Sequence, residues 1–209
     1  MDEAKLGAWV KQQAMVAGCN IYEQTLVEQV YPEGKLCIKD GLTYRFDWIV
    51  NSTGPWAEAL LTASGLSSPH QLDLVRGTHV LLSGNLPRGY FLEVANSSRI
   101  CFALPYQGNI LLGTTEVRQN LEEPIKPSLE EIKSLLEVYN HYFLENRHYT
   151  DIISSFAGLR PLVKSLNDPS AIPRDAQISF QDRLITVFGG KWTTSRALSN
   201  KICNYLYKR

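Results

Sequence analysis

The chain has 209 residues, 44% hydrophobic and 20% charged, an ordinary soluble globular composition with ample sequence for a buried core. Lys plus Arg equals Asp plus Glu at 21 each, so the net charge gives no support for general attraction to nucleic acid or to an anionic membrane. No apolar run approaches the roughly 20 residues of a transmembrane helix, and Met1-Asp2-Glu3-Ala4-Lys5 lacks the basic-then-apolar order of a signal peptide.

Leu6, Trp9, Val10, Ala14 and Ala17 fall on one face at helical spacing, and Gly18 is placed to stop that helix. Ile21 to Val30 and Lys35 to Lys39 follow, either side of a turn at Pro32-Glu33-Gly34. Asp40-Gly41 is a two-residue hairpin signal leading into a strand from Leu42 to Val50. Its end, Trp48-Ile49-Val50, is continuously apolar, as in a strand entering a buried parallel sheet. Asn51-Ser52-Thr53-Gly54-Pro55-Trp56 comes next. Gly54 allows a sharp turn, and Pro55 suits the first position of a helix continued by Trp56, Ala59, Leu60 and Ala63.

The middle of the chain changes character. Leu72 to Ser83, Tyr90 to Ala95, Arg99 to Pro105 and Asn109 to Thr115 are short strands with turn residues between them, the pattern of an antiparallel sheet. Ser128 with Glu131 makes a capping box, opening a helix through Ile132, Leu135, Leu136, Tyr139 and Phe143. Ile152 to Leu159 is another strand. Asp175 to Phe180 and Leu184 to Phe188 pair across Gln181-Asp182-Arg183. The last strand then runs into Gly189-Gly190-Lys191-Trp192-Thr193-Thr194 and a helix carrying Ala197, Leu198, Ile202, Tyr205 and Leu206. Two strand–glycine turn–helix units therefore exist, one at Gly54 and one at Gly189-Gly190. A tight connection and a ligand site both explain such a turn, because it aims free backbone N–H groups at one point and lets a ligand approach closely. The outer segments read as α/β and the middle as an antiparallel insert, an arrangement that places active sites between units.

The cysteines, Cys19, Cys37, Cys101 and Cys203, lie far apart and form no CxxC pair, which favours buried free thiols in a reducing compartment. His79, in Arg76-Gly77-Thr78-His79, suits proton exchange near neutral pH, although a lone histidine is more often structural. Arg160, Arg174 and Lys191 form an anion pocket if the fold converges them, and are otherwise surface charges. GxGxxG, Walker A, GxSxG, HExxH and zinc-spaced cysteines are all absent, which argues against a P-loop nucleotidase, a hydrolase and a zinc enzyme.

Taken together, several short segments resemble FAD-dependent glycerol-3-phosphate dehydrogenases of the DAO-type flavoprotein superfamily. Ile49-Val50-Asn51-Ser52-Thr53-Gly54-Pro55-Trp56 is similar to the family's second FAD-contacting motif. Val75-Arg76-Gly77-Thr78-His79-Val80 resembles its "KGSH" strand, and Leu112-Gly113-Thr114-Thr115-Glu116 its "GTTD" strand end. Gly158-Leu159-Arg160-Pro161-Leu162, Ile172-Pro173-Arg174-Asp175 and Phe188-Gly189-Gly190-Lys191-Trp192-Thr193-Thr194 resemble "GVRPL", "ITRDY" and "FGGKLTT". All occur in family order.

The resemblance implies an α/β (α+β) fold in which a partial FAD-binding domain (1–71 and 153–209) is interrupted by an antiparallel-sheet substrate domain (72–152). It implies FAD as cofactor and oxidation of sn-glycerol 3-phosphate to dihydroxyacetone phosphate, a hydride passing from C2 to flavin N5. Electrons then go to a quinone or another acceptor, in a cytoplasmic enzyme or one held peripherally on the inner face of the membrane. By position, His79 assists loss of the C2 hydroxyl proton, Arg160 holds the substrate oxygens, and Arg174 and Lys191 clamp the phosphate. Ser52, Thr53, Gly54, Gly189, Gly190, Trp192 and Thr193 line the flavin. The family's N-terminal GxGxxG unit and C-terminal helical domain find no counterpart here. The resemblance thus implies a piece of a longer enzyme, poor in FAD and inactive when isolated. The alternatives are a related amino-acid or hydroxy-acid oxidoreductase and a catalytically inactive binding module.

Overall fold

The computed structural model describes residues 3–164 and 175–208. The chain opens with α1 (Glu3–Val16) and an antiparallel sheet of three short strands, β1 (Val27–Tyr31), β2 (Lys35–Ile38) and β3 (Thr43–Arg45). The expected single strand from Leu42 to Val50 is broken. β3 ends at Arg45, and β4 (Ile49–Asn51) starts a different sheet. The chain changes partner at that point: Phe46 N–H donates to Gly34 O (2.8 Å), whereas Ile49 N–H donates to Arg183 O (2.8 Å). The first strand is likewise shorter than Ile21 to Val30, since only Val27–Tyr31 finds a neighbour to pair with.

After a 3-10 turn (Gly54–Trp56), α2 (Ala57–Ala63) buries Ala57 and Leu61, while Trp56 is left 51% exposed. The tighter 3-10 turn shifts the phase of the apolar face away from the tryptophan.

A larger sheet follows. It contains β5 (Leu72–Leu82), β6 (Tyr90–Glu93), β7 (Ile100–Tyr106), β8 (Asn109–Gly113), the short β9 (Val117–Arg118) and β10 (Ile152–Val163), with α3 (Leu129–Tyr142) between β9 and β10 in the chain. The strand order is β10-β5-β8-β7-β6, all antiparallel, and β9 adds to β5. Strand alternation puts Val80, Leu82, Leu92, Cys101, Ala103, Ile110 and Leu112 on one face, where they pack against Ile132, Leu135, Leu136 and Tyr139 of α3. The Ser128–Glu131 capping box opens α3 as expected.

β10 runs past Leu159, through Pro161, to Val163, and pairs with β5 along its length. It is the edge strand, the position where a residue without an N–H is tolerated. Hydrogen bonding therefore joins β10 to the middle sheet, although residues 153–163 were expected in the second FAD-binding segment.

The third sheet has the order β11-β12-β4, with β11 (Gln177–Gln181) antiparallel to β12 (Leu184–Phe188) and β12 parallel to β4. Every residue of β12 is buried, the property of a central strand that its continuous apolar run implied. α4 (Ser195–Leu206) closes the chain, Tyr205 meeting Phe180 and Trp48 at ring-centroid distances of 4.0 and 5.8 Å. All four cysteines are free, but only Cys101 is buried; Cys19 and Cys203 are exposed, which corrects the expectation of buried thiols.

Candidate functional site

The face of the large sheet turned away from α3 carries the chemistry. Along β5, Arg76, Thr78, Val80 and Leu82 point toward α3, so Gly77 and His79 point the other way. Cross-strand register extends that position into one row: Phe91 opposite Phe102, Phe102 opposite Gly113, Gly113 opposite His79, and His79 opposite Phe156. The His79 ring stacks on Phe156 at 5.1 Å and 10°. On its other side it lies over Gly113, where a Cβ would come within 2.7 Å of the imidazole Cγ. Gly113 is thus the gap in an otherwise aromatic row that lets the histidine lie down.

Arg160 reaches the same face from β10. Its guanidinium lies over Gly77, where a Cβ would sit 2.7 Å from Nη2, and Nη1 pairs with Glu116 at 3.5 Å. Burial, and then the Arg160 charge, push His79 down to a pKa of about 4, so the imidazole is neutral at physiological pH. Its Nδ1 is buried without a hydrogen-bond partner.

Both glycine turns come to the far end of the Arg160 strand. β4 and β12 are parallel neighbours, so their turns leave the sheet at the same end. Gly189 and Gly190 hold φ of 69° and 99°, and a Cβ on Gly189 would lie 3.3 Å from Pro161 O, beside Arg160 in sequence. The 3-10 turn at Gly54 also lies against β10. That turn is pinned by Asn51, whose Oδ1 accepts from Thr53 N–H (3.3 Å) and Thr53 Oγ1 (2.7 Å) while Nδ2 donates to Ala57 O (3.1 Å). Ser52, Thr53, Lys191, Trp192 and Thr193 are exposed around the two turns.

Of the residues singled out in the sequence, the structure brings His79 and Arg160 together and sets Gly54 and Gly189 against the Arg160 strand. Lys191 projects from the second turn, in extended conformation before the 3-10 turn Trp192–Thr194. Arg174 lies outside the described residues. Gly113, Glu116, Phe156 and Asn51 were assigned no role. Gly113 and Glu116 stand inside a segment flagged by resemblance; the cross-strand register shows what Gly113 does, and the ion pair with Arg160 what Glu116 does. A flat conjugated cofactor fits this arrangement: Gly54, Gly189 and Gly190, all at positive φ, make both turns sharp, the space beside Gly54 is open, and hydroxyls surround the turns.

Parallel strand ends that turn through glycine into helices, next to an antiparallel sheet carrying a neutral histidine and an arginine, define an α/β oxidoreductase built around such a cofactor. The chain belongs to the FAD dependent oxidoreductase (DAO) family, whose model matches residues 1–199, and FAD is that family's cofactor. It is 29% identical to the aerobic glycerol-3-phosphate dehydrogenase of Escherichia coli over 95% of this chain and 43% of that protein. With the glycerol-3-phosphate dehydrogenase of Pseudomonas aeruginosa the identity is 35%, over 80% of this chain and 35% of that one. A D-erythritol 1-phosphate dehydrogenase of Brucella abortus is 32% identical over 76% of this chain and 34% of its own length. The chain thus spans less than half the length of these relatives. Among solved structures, the glycerol-3-phosphate dehydrogenase from Bacillus halodurans complexed with FAD matches with a TM-score of 0.85 at 24% identity, over 100% of this chain and 43% of that one. Glycine oxidase from Geobacillus kaustophilus matches at 0.62 and 20%, over 87% of this chain and 46% of that one, and both likenesses show the fold. Among the described residues, no helix is long and apolar enough to cross a membrane, and no acidic, histidine or cysteine cluster could hold a metal ion.

Proposed function

We propose that this chain forms the substrate-binding part of an enzyme that oxidises sn-glycerol 3-phosphate to dihydroxyacetone phosphate. The observation that carries the reading is the neutral His79 imidazole beside Arg160, on a face that adjoins both glycine turns. The two dehydrogenases of glycerol 3-phosphate named above, similar over most of this chain, support the substrate. FAD, when bound, supplies the acceptor for the hydride leaving C2.

His79 takes the proton of the C2 hydroxyl at Nε2, because Nδ1 is the buried nitrogen. Its low proton affinity keeps Nε2 unprotonated at physiological pH, so the lone pair is free to hydrogen-bond the hydroxyl as the hydride leaves. Arg160 orients the substrate oxygens, for which Glu116 must yield part of its hold. Lys191, with Arg174, grips the phosphate from beyond the second turn. Gly54, Gly189 and Gly190 admit the flavin against the backbone, with Ser52, Thr53, Trp192 and Thr193 around it. Reducing equivalents then pass to a quinone or another acceptor.

The chain holds no GxGxxG turn. Alone it is therefore expected to bind FAD poorly, and a flavin absorbance spectrum of the purified chain tests that. The substrate is tested in the FAD-loaded enzyme that carries this chain. Anaerobic glycerol 3-phosphate should bleach the flavin, and glycerol should not. Bleaching by glycine or a hydroxy acid instead would move the assignment to another branch of the family, and a preference for erythritol 1-phosphate would move it to a longer polyol phosphate.

A further inference from the structure

The side chain of Glu131 is 4% exposed and accepts more hydrogen bonds than a helix cap requires. The capping box accounts for one of them, Ser128 N–H to Oε2 at 3.0 Å, with Ser128 Oγ accepting from Glu131 N–H at 3.2 Å. The rest come from the sheet. Oε1 accepts from Thr78 Oγ1 (2.9 Å) and Thr115 Oγ1 (2.6 Å), and Oε2 from Arg76 Nε (3.0 Å) and Nη2 (2.8 Å). Arg76 is held in turn by Gln119 at 2.8 Å.

These donors sit at a joint. The regular β5–β8 ladder stops at the His79–Gly113 pair. Beyond it, Thr115 continues the attachment, its N–H donating to Thr78 O (3.3 Å) and its Oγ1 accepting from Thr78 N–H (2.9 Å). Thr78 precedes His79, and Thr115 precedes Glu116, the partner of Arg160. A single ionised carboxylate on the α3 side of the sheet therefore fixes the two backbone segments that present His79 and Glu116 on the other side. A carboxylate suits this place: both oxygens accept from every donor around them, and its charge balances the buried Arg76, which a neutral amide would not.

We propose that Glu131 is a positioning residue for the reaction, acting through Thr78 and Thr115 to aim His79 and the Glu116–Arg160 pair at the substrate. The proposal rests on the role given to His79 above. Glu131 touches neither substrate nor cofactor, so its effect passes through strand backbone alone.

Removing Glu131 itself threatens folding, so the test cuts one arm at a time in the FAD-loaded enzyme that carries this chain. Thr115→Val severs the arm toward the site, Thr115→Ser restores its hydroxyl, and Ser128→Ala severs only the cap. Melting temperature, kcat and KM for glycerol 3-phosphate, and the 13C resonance of the His79 ring in histidine-labelled protein are read for each. Thr115→Val should lower kcat roughly 10- to 100-fold, the scale of a small misplacement of reacting groups. KM should change little, and the His79 resonance should move. Thr115→Ser should recover both, and Ser128→Ala should lower the melting temperature while sparing kcat and the resonance. If Thr115→Val melts earlier yet keeps wild-type kcat and an unmoved His79 signal, Glu131 only anchors α3 and the proposal fails. Should the wild-type enzyme not oxidise glycerol 3-phosphate, the substrate reading fails, and the His79 resonance still decides the positioning.

Discussion

The helix packed on the six-stranded sheet and the helix that follows the last strand are built very differently. α3 buries Glu131, Ile132, Leu135, Leu136 and Tyr139 against the six-stranded sheet, whereas α4 buries no residue fully. α1 resembles α4, with Trp9 57% exposed and Val16 79% exposed. His79 thus sits on a unit that closes its own core and locks itself with a buried carboxylate. The glycine turns sit on a unit whose central strand is fully buried and covered by α2, while α1 and α4 remain open. Precision in placing His79 therefore does not depend on the more open unit.

The sharpest way to break that comparison is to remove the lock. Glu131→Ala leaves Arg76 buried without its counter-charge and should destabilise the protein by about 3–5 kcal/mol. Ser199→Ala on α4, which deletes an exposed hydroxyl bonded to Ser195 O, should stay within about 0.5 kcal/mol. Urea denaturation measures both, and equal costs would erase the distinction.

A smaller effect is expected at Gly113. The added methyl of Gly113→Ala meets the His79 ring, an overpacking cost of about 1–3 kcal/mol. It should also tilt the imidazole off Phe156, which a shifted His79 ring resonance would reveal. An unmoved ring would mean that the aromatic row does not set its orientation.

Acid should act mainly on the six-stranded unit. His79 binds its proton less readily folded, at about 4, than unfolded, at about 6.5. The stability it contributes is full above about pH 6.5 and is lost as pH falls toward 4. For Glu131, burial raises the pKa, but hydrogen bonds from Thr115, Ser128, Thr78 and Arg76 outweigh it and leave the carboxyl below its ordinary value. Its contribution persists above the unfolded carboxylate range, about 4.3, and disappears only as pH drops through the lower folded value. Denaturation midpoints should therefore decline in two stages, and His79→Gln should flatten the first while leaving the second.

The mildest contrast is chemical. Burial pushes the Cys101 thiol up to about 11, so at pH 8 it should resist iodoacetamide while exposed Cys19 and Cys203 react. Peptide mapping of the alkylated protein reads this directly.

The fold was legible where local rules decide it. The Ser128–Glu131 cap, the antiparallel middle and the hairpin of β11 with β12 all follow from spacing, turn residues and apolar runs. It was not legible where distant partners decide it. The break between Arg45 and Ile49 depends on Gly34 and Arg183, and the passage of β10 through Pro161 depends on its edge position. The site divides in the same way. His79, Arg160 and the glycines stand in recognisable segments, but Gly113 matters only because register sets it under His79. Glu131 looks like an ordinary capping residue until the fold brings Thr78 and Arg76, more than fifty positions earlier, onto its carboxylate.

The role proposed for His79 is to receive the substrate proton. Its most direct test is the anaerobic rate of flavin reduction by glycerol 3-phosphate in the FAD-loaded enzyme, compared with the His79→Gln variant. That rate should fall roughly 100-fold or more, the usual contribution of a positioned base, with substrate affinity little changed. An unaltered reduction rate would contradict it.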